Sequence, residues 1–195
     1  MASSPSWSNV IPPTLRRGAV PAFLVMVLGL PPALAAEPGT APVPAVVRAL
    51  AGCWHGTGTV MGKPVDIGLS AHPMVLDALF ALDADSTATG DARDRYAAHL
   101  LVGGRDTTTR TAPQALTGVW ADSFGGGYIT LGTGQTVPGG FDLTYRNGGV
   151  VFANHWRLDA DRLHWDIQSR DGTAPPAAFA RYTMTRAPCA HTTAR

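Results

Sequence analysis

The chain has 195 residues, of which 45% are hydrophobic and 15% charged, and its formal net charge is +1. That is enough apolar material for one packed domain plus flanking segments. Among its 15 basic residues only Lys63 is a lysine, and the arginines form no stripe that would neutralise a phosphate backbone, so no nucleic-acid partner is expected.

The N-terminus reads as a targeting segment. Arg16 and Arg17 supply a positive start, an apolar stretch follows from Ala19 to Leu30, and Pro31-Pro32 breaks it ahead of Ala33-Leu34-Ala35, a small-x-small cleavage pattern. The apolar run is about twelve residues, short of the roughly twenty that a membrane-spanning helix needs. Residues 1–35 are therefore expected to be a signal peptide, with an uncleaved anchor as the alternative. Gly18-Ala19-Val20 follows the paired arginines where a twin-arginine signal has a bulky apolar pair, which favours the general secretory route. Cleavage removes two of the 15 basic residues and none of the 14 acidic ones, leaving a nearly neutral periplasmic or secreted protein with no integral membrane span.

Residues 36–44 are a Pro/Ala/Gly linker, and 43–50 carry one or two helical turns with Val46, Val47 and Leu50 on one side. From Gly52 onward the chain reads as strands between turn signals: 52–60, 64–72, 74–83, 95–103, 115–122, 126–133, 138–146, 149–158, 162–169 and 177–186. Residues 84–94 are polar and turn-rich and are expected to form a loop. Met61-Gly62-Lys63-Pro64 is a tight turn, and Asn147-Gly148 is a strong hairpin signal between two apolar runs. Phe141, Leu143 and Tyr145 alternate with Asp142, Thr144 and Arg146, while Leu163, Trp165 and Ile167 alternate with His164, Asp166 and Gln168. Period-two alternation gives one dry and one wet face. The fold expected for 45–187 is all-β, a closed or nearly closed antiparallel up-and-down barrel of about ten strands behind a short N-terminal helix, with a sandwich as runner-up. Residues 188–195 are a tail. Cys53 opens the first strand and Cys189 follows the last. In a closed barrel those strands are neighbours, so the two thiols can bridge; the alternative is two separate reduced thiols.

The segment Gly52-Cys53-Trp54-His55-Gly56 places a tryptophan on the first strand among glycines that permit sharp coiling. A last-strand arginine, Arg186, can lie over that indole as a cation–π lid. Gly52-x-Trp54 with Arg186 resembles the structural signature of lipocalins and their calycin relatives. The stretch from Leu50 to Gly58 also resembles the opening of nitrobindin-type haem-binding barrels. With Trp120-Ala121-Asp122-Ser123-Phe124-Gly125 and Asp171-Gly172 included, the pattern over roughly 45–187 is closest to a bacterial domain-of-unknown-function family of calycin-like architecture. That resemblance implies a barrel with a cavity and gives Gly52, Trp54 and Arg186 structural roles. The nitrobindin opening continues with a tyrosine-proline pair, whereas this chain has Val60-Met61-Gly62-Lys63. The nitrobindin haem is held by a late histidine, for which His155 and His164 are the candidates, His191 lying in the tail.

The six histidines show no metal-ligand spacing, so no metal site is expected. His155 and His99 line a cavity if their faces point inward. Asp122-Ser123 reads as a turn and not as a catalytic pair, because no base or nucleophile elbow accompanies it. Nothing points to hydrolase or transferase chemistry. The leading expectation is an exported barrel binding a small apolar or amphipathic ligand through Trp120, Tyr145, Phe152 and His155. The alternatives are a filled structural or interaction module and a haem-binding barrel. Oligomeric state is not specified by the sequence.

Overall fold

A computed structural model describes residues 41–105, 111 and 113–189. The expected signal peptide, linker residues 36–40 and tail residues 190–195, His191 among them, lie outside the described residues. The chain enters through a single helical turn, α1 (Ala45–Arg48), and then runs through ten strands. These are β1 (Gly52–Val60), β2 (Lys63–Met74), β3 (Leu79–Ala88), β4 (Asp91–Gly104), β5 (Ala115–Asp122), β6 (Thr130–Val137), β7 (Gly140–Asn147), β8 (Val150–Asp159), β9 (Arg162–Asp171) and β10 (Ala177–Ala187). Each pairs antiparallel with the next, and β1 pairs with β10, closing the barrel. The all-β, up-and-down closed barrel expected from alternation is the fold observed. Among the described residues no helix is long and apolar enough to cross a membrane.

Closure brings the first and last strands together in register, Trp54 opposite Arg186 and Cys53 opposite Ala187. It also sets the Cα atoms of Cys53 and Cys189 5.1 Å apart in a disulfide. β1 coils tightly against β10: a Cβ on Gly56 would lie 2.0 Å from the Thr183 carbonyl oxygen, and one on Gly58 2.2 Å from that of Arg181. Only glycine allows that approach.

The inward faces divide the barrel into a filled floor and an open mouth. At the floor, α1 lies across the barrel end, and Val47 and Leu50 join Trp54 in the core. The Trp54 Nε1–H donates to the Leu50 carbonyl at 2.8 Å. The Arg186 guanidinium sits 4.3 Å from the Trp54 ring centroid and donates to the carbonyls of Ala51 (2.8 Å) and Ala49 (3.0 Å). One side chain thus ties the last strand to both the first strand and the helix ahead of it. Above the floor a stack of rings climbs the barrel: Phe141 on Trp156 (5.8 Å between centroids), Trp156 on Trp165 (4.3 Å), and Trp165 against Trp120 (6.0 Å). Burying these large apolar faces supplies much of the driving force for closure.

Three segments depart from the sequence reading. Residues 84–94 are not a loop: β3 runs on to Ala88 and β4 starts at Asp91, so the two form a long hairpin. Its polar composition masks strict alternation, with Ala84 and Ser86 buried inside and Asp83 and Asp85 outside. A cross-strand ion pair supports it, Arg95 to Asp85 at 2.6 Å, and Lys63 at the start of β2 reaches Asp94 on β4 at 3.1 Å. The stretch 126–133 begins not as strand but as a 3-10 turn over Gly126–Tyr128, with β6 starting at Thr130. Gly125 adopts φ 99°, which breaks the strand. Finally, Val75, Leu76 and Asp77 take left-handed φ of 51°, 54° and 64°, forming the β2–β3 turn where continuous strand was expected.

Candidate functional site

The mouth is built where the inward alternation of several strands runs past the packed core. On β4 the buried series Val102, Leu100, Ala98 continues to Tyr96. On β5, Leu116 and Gly118 lead to Trp120 and Asp122. Tyr145 ends the inward row of β7, Phe152 opens that of β8, and Ile167 ends that of β9. On β10 a bulge between Ala178 and Ala180 frees Phe179 from pairing, and its ring meets Phe152 edge-on at 5.3 Å. A bulge that re-aims one side chain in this way is a recurrent device at barrel rims.

Together these residues line a cup of two adjoining lobes, about 300 Å³ and about 310 Å³, which share Met61, Tyr96, Trp120, Phe124, Ile167 and Phe179. The rim is apolar as well. Met61, Phe124 and Tyr128 are 74%, 69% and 48% exposed. Phe124 bridges Tyr96 (5.7 Å) and Tyr128 (5.6 Å). An exposed apolar rim around a concave apolar wall is the usual setting of a binding site.

One charged group stands among these rings. The Asp122 carboxylate accepts hydrogen bonds from the Tyr96 hydroxyl (3.2 Å), the Trp120 indole N–H (3.1 Å) and the Phe124 amide (3.0 Å). Burial, with the Asp122 carboxylate beside it, holds the Tyr96 phenol far above its ordinary range, so it stays a donor. Deeper in the wall, the Tyr145 phenol lies over the paired glycines Gly118 and Gly132. A Cβ on either would come within 2.5 Å or 2.6 Å of it. The Tyr145 hydroxyl is buried without a hydrogen-bond partner, as are the Asn154 Nδ2 and the Trp156 Nε1. The Asn154 Oδ1 is used, accepting from the Trp165 indole at 2.9 Å.

Of the four residues named from the sequence as ligand contacts, Trp120, Tyr145 and Phe152 line the cup. His155 does not. It follows the inward-facing Asn154 and so points through the outer wall, where its Nδ1 donates to Asp142 at 3.0 Å. His99 is likewise on the outside, donating to Asp83. His164 also faces out, sharing a hydrogen bond with Thr183 at 3.2 Å. Neither lobe is lined by a histidine among the described residues. The two histidines considered as candidates for a haem iron therefore do not reach this cup, because strand parity turns them to the outer face. On the outer face Asp142, His155, Asp166 and Arg181 form a cross-strand row in which acidic and basic side chains alternate. Burial alone would raise Asp142, but Arg157 (2.8 Å) and His155 overcome it and hold the carboxyl below its ordinary range. No cluster of three metal-ligating groups occurs among the described residues.

Sequence reasoning took Asp122 as a turn residue and passed over Tyr96 and Phe179. The first two carried a signal, since Asp122 is two residues from Trp120 and Tyr96 two from Ala98, the same parity as their inward neighbours. Phe179 carried none, because a bulge reverses parity.

A solved structure shares this architecture. The crystal structure of Rv2717c from M. tuberculosis superposes with a TM-score of 0.56 at 14% sequence identity, covering 74% of this chain and 99% of that one. The likeness is one of fold. No family model matches the chain, and no curated protein matches it.

Proposed function

We propose that this barrel binds one small apolar or amphipathic ligand in the cup at its open end. The observation that carries the reading is the contrast between the two halves: a floor filled by stacked tryptophans, and a mouth whose aromatic walls enclose a cavity under an exposed apolar rim. The alternative of a filled structural barrel fits the floor half only. The Trp54–Arg186 arrangement supports grouping the chain with calycin-like barrels. The Cys53–Cys189 bridge supports export, since disulfides persist in oxidising compartments.

A neutral environment-sensitive dye such as Nile red tests the binding reading. Its emission shifts to the blue on entering the cup, and it quenches the fluorescence of the neighbouring Trp120. A ligand at a hundred times its dissociation constant stabilises the fold by about 2.7 kcal/mol. Phe152→Ala weakens the response and His155→Ala does not. A panel of apolar dyes and lipids that moves neither emission nor melting temperature would remove the reading.

A further inference from the structure

The chemistry of the first lobe selects among amphiphiles. Among the described residues Asp122 is the sole formally charged side chain lining it, and no lysine, arginine or histidine pairs with that carboxylate. The charges in the second lobe are matched: Lys63 is held by Asp94, and Arg95 by Asp85. The cup therefore carries one unneutralised negative charge.

That charge is fixed in place. Tyr96, Trp120 and the Phe124 amide orient both carboxylate oxygens. A carboxylate has about four acceptor directions, so some capacity is left for a further donor. Three of the surrounding rings, Tyr96, Trp120 and Phe124, present π systems whose negative faces attract cations.

We propose that the first lobe takes a cationic head group, an ammonium carried on an apolar body, seated between the Asp122 carboxylate and the rings of Tyr96, Trp120 and Phe124. This rests on the reading of the cup as a ligand site and narrows it to one charge class. A quaternary ammonium uses the rings and the Coulomb attraction; a primary ammonium also donates to the remaining acceptor capacity of Asp122. An anionic head in the same position would meet an uncompensated carboxylate among apolar walls, where like charges repel more strongly than in water. A neutral head meets neither effect.

The test compares three ligands of equal chain length, dodecyltrimethylammonium, dodecanol and dodecanoate, below their micellar concentrations. Each is titrated against protein loaded with Nile red, at neutral pH and low salt. The ammonium displaces the dye at a concentration at least about tenfold below that of dodecanoate, with dodecanol between them. Asp122→Asn, close to isosteric, brings the ammonium and the carboxylate to within about threefold of each other, whereas His155→Ala on the outer wall leaves the ratio as it was. Dodecanoate binding as tightly as the ammonium overturns the proposal, as does an Asp122→Asn protein that keeps the ratio. Dodecanol binding with no ranking by head charge, or failure of all three ligands to displace a bound dye, sinks this inference alone; a protein that takes up neither the dye nor any of the three ligands sinks the ligand-site reading with it. Should Asp122→Asn fail to fold, the ranking measured on the unaltered protein decides the matter.

Discussion

The Tyr145 phenol offers a prediction of unusual sign. Its hydroxyl is buried without a partner, and such a group carries a desolvation cost of about 1–3 kcal/mol. Tyr145→Phe removes that cost and little packing, so it should stabilise the barrel by about 1 kcal/mol, where most core substitutions destabilise. Gly118 supplies the second arm. A Cβ there would stand 2.5 Å from the Tyr145 hydroxyl oxygen, 3.2 Å from its Cζ and 3.3 Å from a Leu143 methyl. The first contact is too short for any real Cβ, so Gly118→Ala alone should cost about 1–3 kcal/mol as overpacking. In the Tyr145→Phe background that oxygen is gone and the remaining contacts are tight but tolerable. Alanine should then cost little, since glycine in a strand is itself unfavourable by about 0.5–1 kcal/mol. The pair is therefore non-additive by about 1–3 kcal/mol. Urea denaturation of the four proteins measures this, and each kcal/mol corresponds to about 2–4 °C in melting temperature for a domain of this size. Two results would refute the reasoning: a Tyr145→Phe protein less stable by more than 1 kcal/mol, which would mean that the hydroxyl makes a favourable bond, or strictly additive effects of the two changes.

Three further outcomes follow from other parts of the barrel. Reducing the Cys53–Cys189 disulfide, which closes a loop of sequence separation 136, should lower stability by up to about 5 kcal/mol on the chain-entropy estimate, read as a fall in urea midpoint on adding a reductant. Arg186→Met loses the ring contact with Trp54 and two hydrogen bonds to carbonyls. It should cost about 1–3 kcal/mol after discounting for exposure, and Arg186→Lys should recover only part of that, because a lysine cannot reach both carbonyls in one plane. Alkaline pH should open the barrel through its buried phenols. Burial pushes Tyr182 up to about 12 from an ordinary 10.0, and raises Tyr96 and Tyr145 further. A phenol whose folded value is raised contributes stability that is complete below the unfolded value and is lost as pH climbs from about 10 towards 12. Tyrosine absorbance should therefore change together with loss of near-ultraviolet circular dichroism, and titration of these phenols well before unfolding would contradict the burial.

The barrel was legible because most of its strands advertise themselves. Phe141-Asp142-Leu143-Thr144-Tyr145 and Leu163-His164-Trp165-Asp166-Ile167 alternate cleanly, and glycine-bearing turns separate them. The β3–β4 hairpin hid because small and acidic residues at its mouth end look like a loop, although Ala84 and Ser86 keep the inward parity. His155 was placed on the wrong wall for a related reason. Along one strand parity is certain, but which parity faces inward depends on how bulky the alternate residues are, and around His155 both sets are mixed. Trp156 and Asn154 settle the matter in the fold, the tryptophan because it stacks on Trp165 and the asparagine because it receives the Trp165 N–H.

From the chain alone come the number of strands, their up-and-down order and the meeting of Trp54 with Arg186, since these depend on local alternation, on turn residues and on the single requirement that a closed sheet join its two edges. The cup at the mouth belongs to the tertiary structure. Tyr96, Trp120 and Asp122 sit on two strands whose register sets them side by side, and Phe179 enters only through a bulge. Register and bulges are decided by how side chains from many strands fill one shared interior, and that is a property of no short stretch of sequence.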